Sequence, residues 1–316
     1  MYLSILSKLI SESLLSLYPV FVKLINISLE LQLWSRFVTY VLLSAFFVNW
    51  SFIRSTIVTK NGILLALITI LHVFFSYKGF QLLESGVAYT LFYTYPIMIL
   101  LMSKNKINPL YLLTLIGVFL LSQKKETKKE TFSEKDSREK KRENVSEEQG
   151  GEVQTNKQTH NKTKHFKKNG TSELKESFKY EGLVMIVLAA FTEALIYFIV
   201  RNIKTKNNWN HLFISYGLGA ILLSIYLWKE IRNTTIHNTL SISMVINSVI
   251  GLLGYVLRFY ATTRLPTTLY SSLSYFGIVM SYVYGIILNS DVLSFQKILG
   301  TLFIIFPNLW LYVFKK

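Results

Sequence analysis

SYKGFQLLESGVAYTLFYTYPIMI, residues 76–99, and RFYATTRLPTTLYSSLSYFGIVMS, residues 258–281, lie 182 positions apart. Aligned at that offset, Leu83, Leu91, Tyr93 and Met98 fall on Leu265, Leu273, Tyr275 and Met280. Both stretches belong to long, continuous apolar runs. Barrel strands are shorter and alternate in polarity. The runs are therefore expected to be membrane helices, and the chain to hold two copies of one unit.

The rest of the sequence fits that expectation. Hydrophobic residues make up 51% of the 316, and mean hydropathy is +0.36. Ten apolar runs are found, at about 5–25, 31–51, 62–82, 85–103, 107–122, 181–201, 209–229, 240–262, 266–288 and 293–313. Most approach the roughly 20 residues a helix needs to cross the bilayer core. In lipid a helix also satisfies its own backbone. Short gaps make neighbouring runs antiparallel.

Residues 122–180 separate five runs from five and carry 16 Lys/Arg and 11 Asp/Glu. Their sequence, beginning SQKKETKKETFSEKDSREKKRENVSEEQGG, is too polar to bury a core and is expected to be a disordered linker. A regulatory or binding tail is the other role considered.

An odd number of spans per half makes the two halves insert in opposite senses, so equivalent loops should carry opposite charge. Lys104 and Lys106 follow span 4 where Asp291 follows span 9. Glu84 answers Arg264, and Glu30 answers Lys204 and Lys206. Arg54 and Lys60 face a mixed set of Lys229, Glu230 and Arg232. Placing basic loops inside puts both termini, with Lys315 and Lys316, in the cytoplasm. The 122–180 segment then lies outside or in a lumen, where the sequons at Asn144, Asn161 and Asn169 suit a eukaryotic plasma membrane or endomembrane.

Net charge is +16 and there are no cysteines. Disulfides and thiolate chemistry are excluded. No basic face on a soluble fold points to nucleic acid. No phosphate-binding G-x-x-x-x-G-K-[ST] loop, clustered carboxylates or H-E-x-x-H run points to an ATP-driven pump or a metal enzyme. No catalytic residue, metal or cofactor is assigned.

At this point the residues resemble a family. YPVFVKL (18–24) is similar to the first span of EamA-like members of the drug/metabolite transporter superfamily, with Lys23 at their lysine. FSYKGFQLLESGVAYTLFYTYPIMI (75–99) resembles their span 3 to span 4 passage, with Pro96 at the usual proline. Residues 258–304 resemble the corresponding second-half passage, ending with Asp291 near its glutamate and Gly300 at its glycine. The chain departs at SKNKI (103–107), at Ile278 in place of the span 9 proline, and in the polar insertion. The resemblance implies movement of a small metabolite by alternating access.

The fold expected is all-α and integral to the membrane, with ten transmembrane helices as two inverted five-helix repeats, 1–121 and 181–316. The function expected is transport of a small-molecule substrate, by proton coupling or exchange, through a midplane cavity lined by spans 1, 3, 4, 6, 8 and 9. A nucleotide-sugar or sugar-phosphate exchanger of an internal membrane is the narrower alternative. A non-transporting scaffold acting through 122–180 is the rival class. The protein is expected as a monomer or homodimer, with lipid as its other partner.

Ionisable groups deep in such spans are costly and face partners or wet cavities. Glu193 is the deepest acid, in LAAFTEALIYF (188–198); His72 and Arg258 are the other central groups. Three roles suit Glu193: a proton site, a structural partner of Arg258 or His72, or a contact for a cationic substrate group. Arg258 also suits an anionic substrate. Arg36, Glu12 and Lys78 are shallower by position. Tyr89 and Tyr93 share a helix face, and Tyr93 and Tyr275 are equivalent under the repeat. With Tyr18 they complete the candidate substrate-binding set, each offering a ring and a hydrogen-bonding tip.

Overall fold

A computed structural model of the chain describes residues 2–25, 27–103, 111–122, 161–233, 238–290 and 292–314. Lys104, Lys106, Asn144, Asp291, Lys315 and Lys316 lie outside the described residues. The chain divides into two compact units, Met1–Ser122 with Phe178–Lys316, and Gln123–Ser177. The site described below lies wholly within the first. Every described regular element is a helix.

In chain order these are α1 (Tyr2–Leu15), α2 (Tyr18–Leu24), α3 (Leu29–Ser44), α4 (Trp50–Thr56), α5 (Lys60–Leu82), α6 (Ser85–Phe92), α7 (Tyr95–Met102) and α8 (Tyr111–Ser122). After the polar segment come α9 (Asn161–Asn202), α10 (Asn208–Tyr226), α11 (Trp228–Asn233), α12 (Asn238–Thr262), α13 (Thr267–Ser274), α14 (Phe276–Asn289) and α15 (Phe295–Phe314). Helix α9 takes in the last part of the polar segment. Residues 161–180 of that segment belong to the helix that runs from Asn161 to Asn202. Lys and Glu are good helix formers, and adding residues to an existing helix avoids the cost of nucleation.

Among the described residues, six stretches are long and apolar enough to cross a membrane: Tyr2–Leu24, Lys60–Leu82, Ser85–Met102, Tyr180–Asn202, Ile242–Thr262 and Thr267–Leu288. They correspond to runs 1, 3, 4, 6, 8 and 9 of the ten. The other four runs hold α3, α8, α10 and α15. Helices α3 and α8 have 16 and 12 residues, α10 opens on Asn208, Asn210 and His211, and the apolar stretch of α15 runs Phe295–Pro307.

Three of the six stretches are broken. Span 1 breaks between α1 and α2 ahead of Pro19, and span 4 between α6 and α7 ahead of Pro96. Proline lacks an N–H and crowds the carbonyl four residues back. Span 9 breaks between α13 and α14 with Ile278 where a proline was looked for. There Ser272 and Ser274 donate to the carbonyls of Thr268 and Tyr270, which bends helices. The amides of Tyr275 and Ile278 reach back only three residues, to Ser272 and Tyr275, the tighter 3₁₀ pattern. Serine back-bonding and a tightened turn thus do in span 9 what proline does in span 4.

The breaks share a register. Helix α6 runs Ser85–Phe92 and α13 runs Thr267–Ser274, each end 182 residues from its counterpart. Helices from before and after the polar segment also pack in pairs: α1 on α12, α3 on α10, α8 on α15, α6 on α14 and α7 on α13. Small residues set several of these distances. A Cβ at Gly117 would meet the Gly300 carbonyl oxygen at 2.5 Å, so the backbones of α8 and α15 touch. One at Gly79 would meet the Ile186 side chain. A Cβ at Gly217 would find only Phe213, at 3.9 Å, so Gly217 does not mediate close packing.

Replacing Gly117 or Gly300 by leucine should therefore lower the melting midpoint of the purified protein, at a cost of about 1–3 kcal/mol for overpacking. Gly217→Ala should leave it unchanged. Equal melting of the three variants would remove the close α8–α15 crossing.

Candidate functional site

Glu193 lies in α9 among Ala189, Ala190 and Ala194, all fully buried. These small neighbours let other helices come close enough for short polar contacts. Arg258 of α12 donates from Nη1 to Glu193 Oε1 at 2.6 Å and from Nη2 to Glu12 Oε2 of α1 at 3.1 Å. One guanidinium thus joins carboxylates from two other helices. Glu12 also takes the ammonium of Lys8, one turn earlier on α1. Lys8 lies 3.6 Å from the centre of the Tyr270 ring and 3.3 Å from the Tyr95 hydroxyl, which donates to Ser274 at 2.9 Å. All four charged side chains are at most 4% exposed. Two cations and two carboxylates are therefore buried as one connected network. Charges buried in lipid persist when paired in this way.

His72 of α5 closes the network. Its Nδ1 is 3.1 Å from the Ala189 carbonyl oxygen. A carbonyl only accepts, so Nδ1 carries the ring proton of the neutral imidazole. Nε2 is then the acceptor, with the Tyr255 hydroxyl 3.2 Å away. Glu193 Oε2 is also 3.2 Å from that nitrogen and has no hydrogen-bond partner among the described residues. Two acceptors thus face each other, with a single proton able to join them.

The candidate tyrosines divide. Tyr93 ends α6 with its hydroxyl 3.4 Å from Arg258 Nη2, and donates to Tyr89 at 3.2 Å. Tyr89 and Tyr93 thus join the network. Tyr275 is buried at the break between α13 and α14. Tyr18 belongs to a second cluster around Arg36 of α3. There the rings of Tyr18, Tyr40, Tyr77, Tyr216 and Tyr255 surround the guanidinium at 4.5–5.6 Å. Between the two clusters is a cavity of about 10 Å³, lined by Tyr18, Arg36, His72, Ser76, Tyr255 and Arg258 among others. That is room for about one water.

Position along a run does not report burial within the protein for Glu12 and Arg36. Both are buried, at 0% and 2% exposure. Span 1 begins at Tyr2 and breaks at Ser16, which moves Glu12 inward relative to a straight span over 5–25. Lys8 was passed over altogether. Its signal was the Lys8–Glu12 spacing of four, which stacks opposite charges on one helix face. Lys78 does lie near the surface, 3.6 Å from Glu181, and Arg201 is exposed.

Residues 181–312 match the model of the EamA-like transporter family. No curated protein matches the chain. A solved crystal structure of a protein aligns with a TM-score of 0.54 at 12% identity, covering 99% of this chain and 96% of that one; it shares the fold. Together with the apolar helices, these findings make the chain a multi-pass integral membrane protein with a segment of the EamA-like kind.

Glu193→Gln leaves Arg258 with Glu12 alone and should cost on the order of 3 kcal/mol. Adding Arg258→Gln removes the orphaned charge, so the double variant should lose less than the sum of the two single losses. Additive losses in thermal melts would show that the pair is not coupled.

Proposed function

We propose that the chain is a secondary transporter that moves a small metabolite by alternating access. In this reading ten transmembrane helices form two inverted five-helix repeats, 1–121 and 181–316, joined by the polar segment, one of the architectures on which alternating access operates. The matching ends of α6 and α13 and the packing of helices across the polar segment support that repeat. Both termini are placed in the cytoplasm on the charge pattern of the loops.

The observation that carries the proposal is the placing of the network. Lys8, Glu12, Glu193, Arg258 and His72 are buried together, His72 and Arg258 line a small cavity, and Arg258 and Lys8 reach Tyr93 and Tyr95 on either side of the span 4 break. A scaffold needs no such charges, whose burial is costly. Broken helices beside a polar cavity are what alternating access uses. In this reading Glu193 and Glu12 hold Arg258, and the pair fixes α1, α9 and α12 together.

A second feature bears on coupling. The contact of Glu193 Oε2 with His72 Nε2 accepts a proton only by changing the charge of the network. Arg258, Lys8 and Glu12 lie nearby on α12 and α1, and Arg36 on α3. Proton coupling is the driving mode this supports. In proteoliposomes a pH gradient should then drive uptake, and His72→Phe should abolish that dependence while uptake down a substrate gradient persists.

The absence of cysteine gives a direct test of alternating access. Ser76 lines the cavity and is 4% exposed. In Ser76→Cys proteoliposomes, an impermeant maleimide should label the thiol from either side of the membrane, to a different extent with and without substrate mixtures. A thiol that reacts from neither side under any condition would favour the scaffold.

A further inference from the structure

We propose that Arg36 seats an anionic group of the substrate: a carboxylate or phosphate carried by a small solute. The inference rests on the transport reading and deepens it by naming the substrate's chemical class.

Arg36 and Arg258 line the same cavity but differ in their partners. Arg258 lies against two carboxylates. Arg36 is 2% exposed, and neither carboxylate of the network is within ion-pair distance of it. A guanidinium has five N–H donors. One donates to the Tyr216 hydroxyl at 3.0 Å, while Nε is buried without an acceptor. The five tyrosine rings stabilise the positive charge. Among the described residues Tyr216 gives the guanidinium one hydrogen-bonding oxygen, whereas a carboxylate or phosphate binds it bidentately.

The charge balance points the same way. The cavity's lining holds two arginines, Arg36 and Arg258, and no carboxylate, and the two carboxylates beyond it are both paired with Arg258. A monoanion answers the charge left at Arg36. Two further donors await an acceptor: Arg258 Nε, and the Tyr77 hydroxyl, which is buried without a partner beside Arg36. A cationic solute would meet an excess of its own sign and the edge of a guanidinium. The cavity now has room for about one water. A carboxylate or phosphate with its carbon skeleton is therefore taken up in a conformation where the two clusters stand further apart.

The test is thermal melting of the full chain in detergent at constant ionic strength. Probes are inorganic phosphate, benzoate, benzylammonium and phosphatidic acid. Phosphate or benzoate at saturation should raise the wild-type midpoint by about 3 °C, and benzylammonium should not. Arg36→Gln should lose the shift, whereas Tyr216→Phe, which removes only the present acceptor, should keep it. Should Arg36→Gln fail to fold, the rate of maleimide labelling of Ser76→Cys provides the second readout. Benzoate should slow it severalfold and benzylammonium should not.

Several outcomes would overturn the assignment: no shift with either free anion, an equal shift with benzylammonium, an anion shift that survives Arg36→Gln, or stabilisation by phosphatidic acid alone. The last would mark a lipid headgroup. A Ser76→Cys thiol that is labelled from both sides but indifferent to anions ends this assignment and leaves transport standing. A thiol reached from neither side ends both.

Discussion

Arg258 is the point on which the interior depends. Its two terminal nitrogens reach Glu193 at 2.6 Å and Glu12 at 3.1 Å, so one side chain ties α12 to both α9 and α1. Loss of either carboxylate leaves positive charge in an apolar interior, and breaking a buried pair costs far more than the pair contributes to stability. The alanines around Glu193 and the buried faces of α1 and α12 serve this junction by letting the carboxylates approach. The tyrosines of α6 and α7 then fit around it through single hydroxyls. In its geometry the centre of the protein is ionic first and aromatic second.

Much of this was legible in the sequence, for physical reasons that can be named. A carboxylate in LAAFTEALIYF has few uses other than pairing, proton transfer or substrate contact, so Glu193 stood out, and Arg258 with it. The span 4 break was legible from Pro96. The span 9 break was not legible from composition, because serine back-bonding leaves no signal as sharp as a proline; only the 182-residue offset pointed to it. Glu12 was hidden by counting depth along a straight helix, when the helix starts earlier and breaks at Ser16. That Arg36 has no carboxylate beside it among the described residues depends on how α2, α3, α5, α10 and α12 converge, which no single run encodes.

The two arginines illustrate how burial alone fails to assign a role. Both are 2% exposed and both sit among tyrosines. Arg258 has its charge answered by the protein and is a structural tie. Arg36 has rings in place of carboxylates and an Nε without an acceptor. The sequence offered Arg258 as the anchor for an anion. In the proposed reading that role moves to Arg36, because a guanidinium already bridging two carboxylates has little left to offer a third.

The same network limits how the proposed transport motion can proceed. Helices α1, α9 and α12 share ionic contacts of 2.6–3.1 Å, and parting them would strand buried charges. Helices α6 and α7 meet that group through neutral hydroxyls, Tyr93 on Arg258 at 3.4 Å and Tyr95 on Lys8 at 3.3 Å. Those contacts are longer, each is a single hydrogen bond, and a water can replace either. A rocking motion that keeps the ionic group whole and opens along the tyrosines therefore crosses the smaller barrier. The path it opens runs past Tyr89 and Phe80, which line the cavity together with Arg36. In the proposed reading the tie at Arg258 and the charge at Arg36 are complementary: one holds the moving body together, and the other gives the solute a reason to enter.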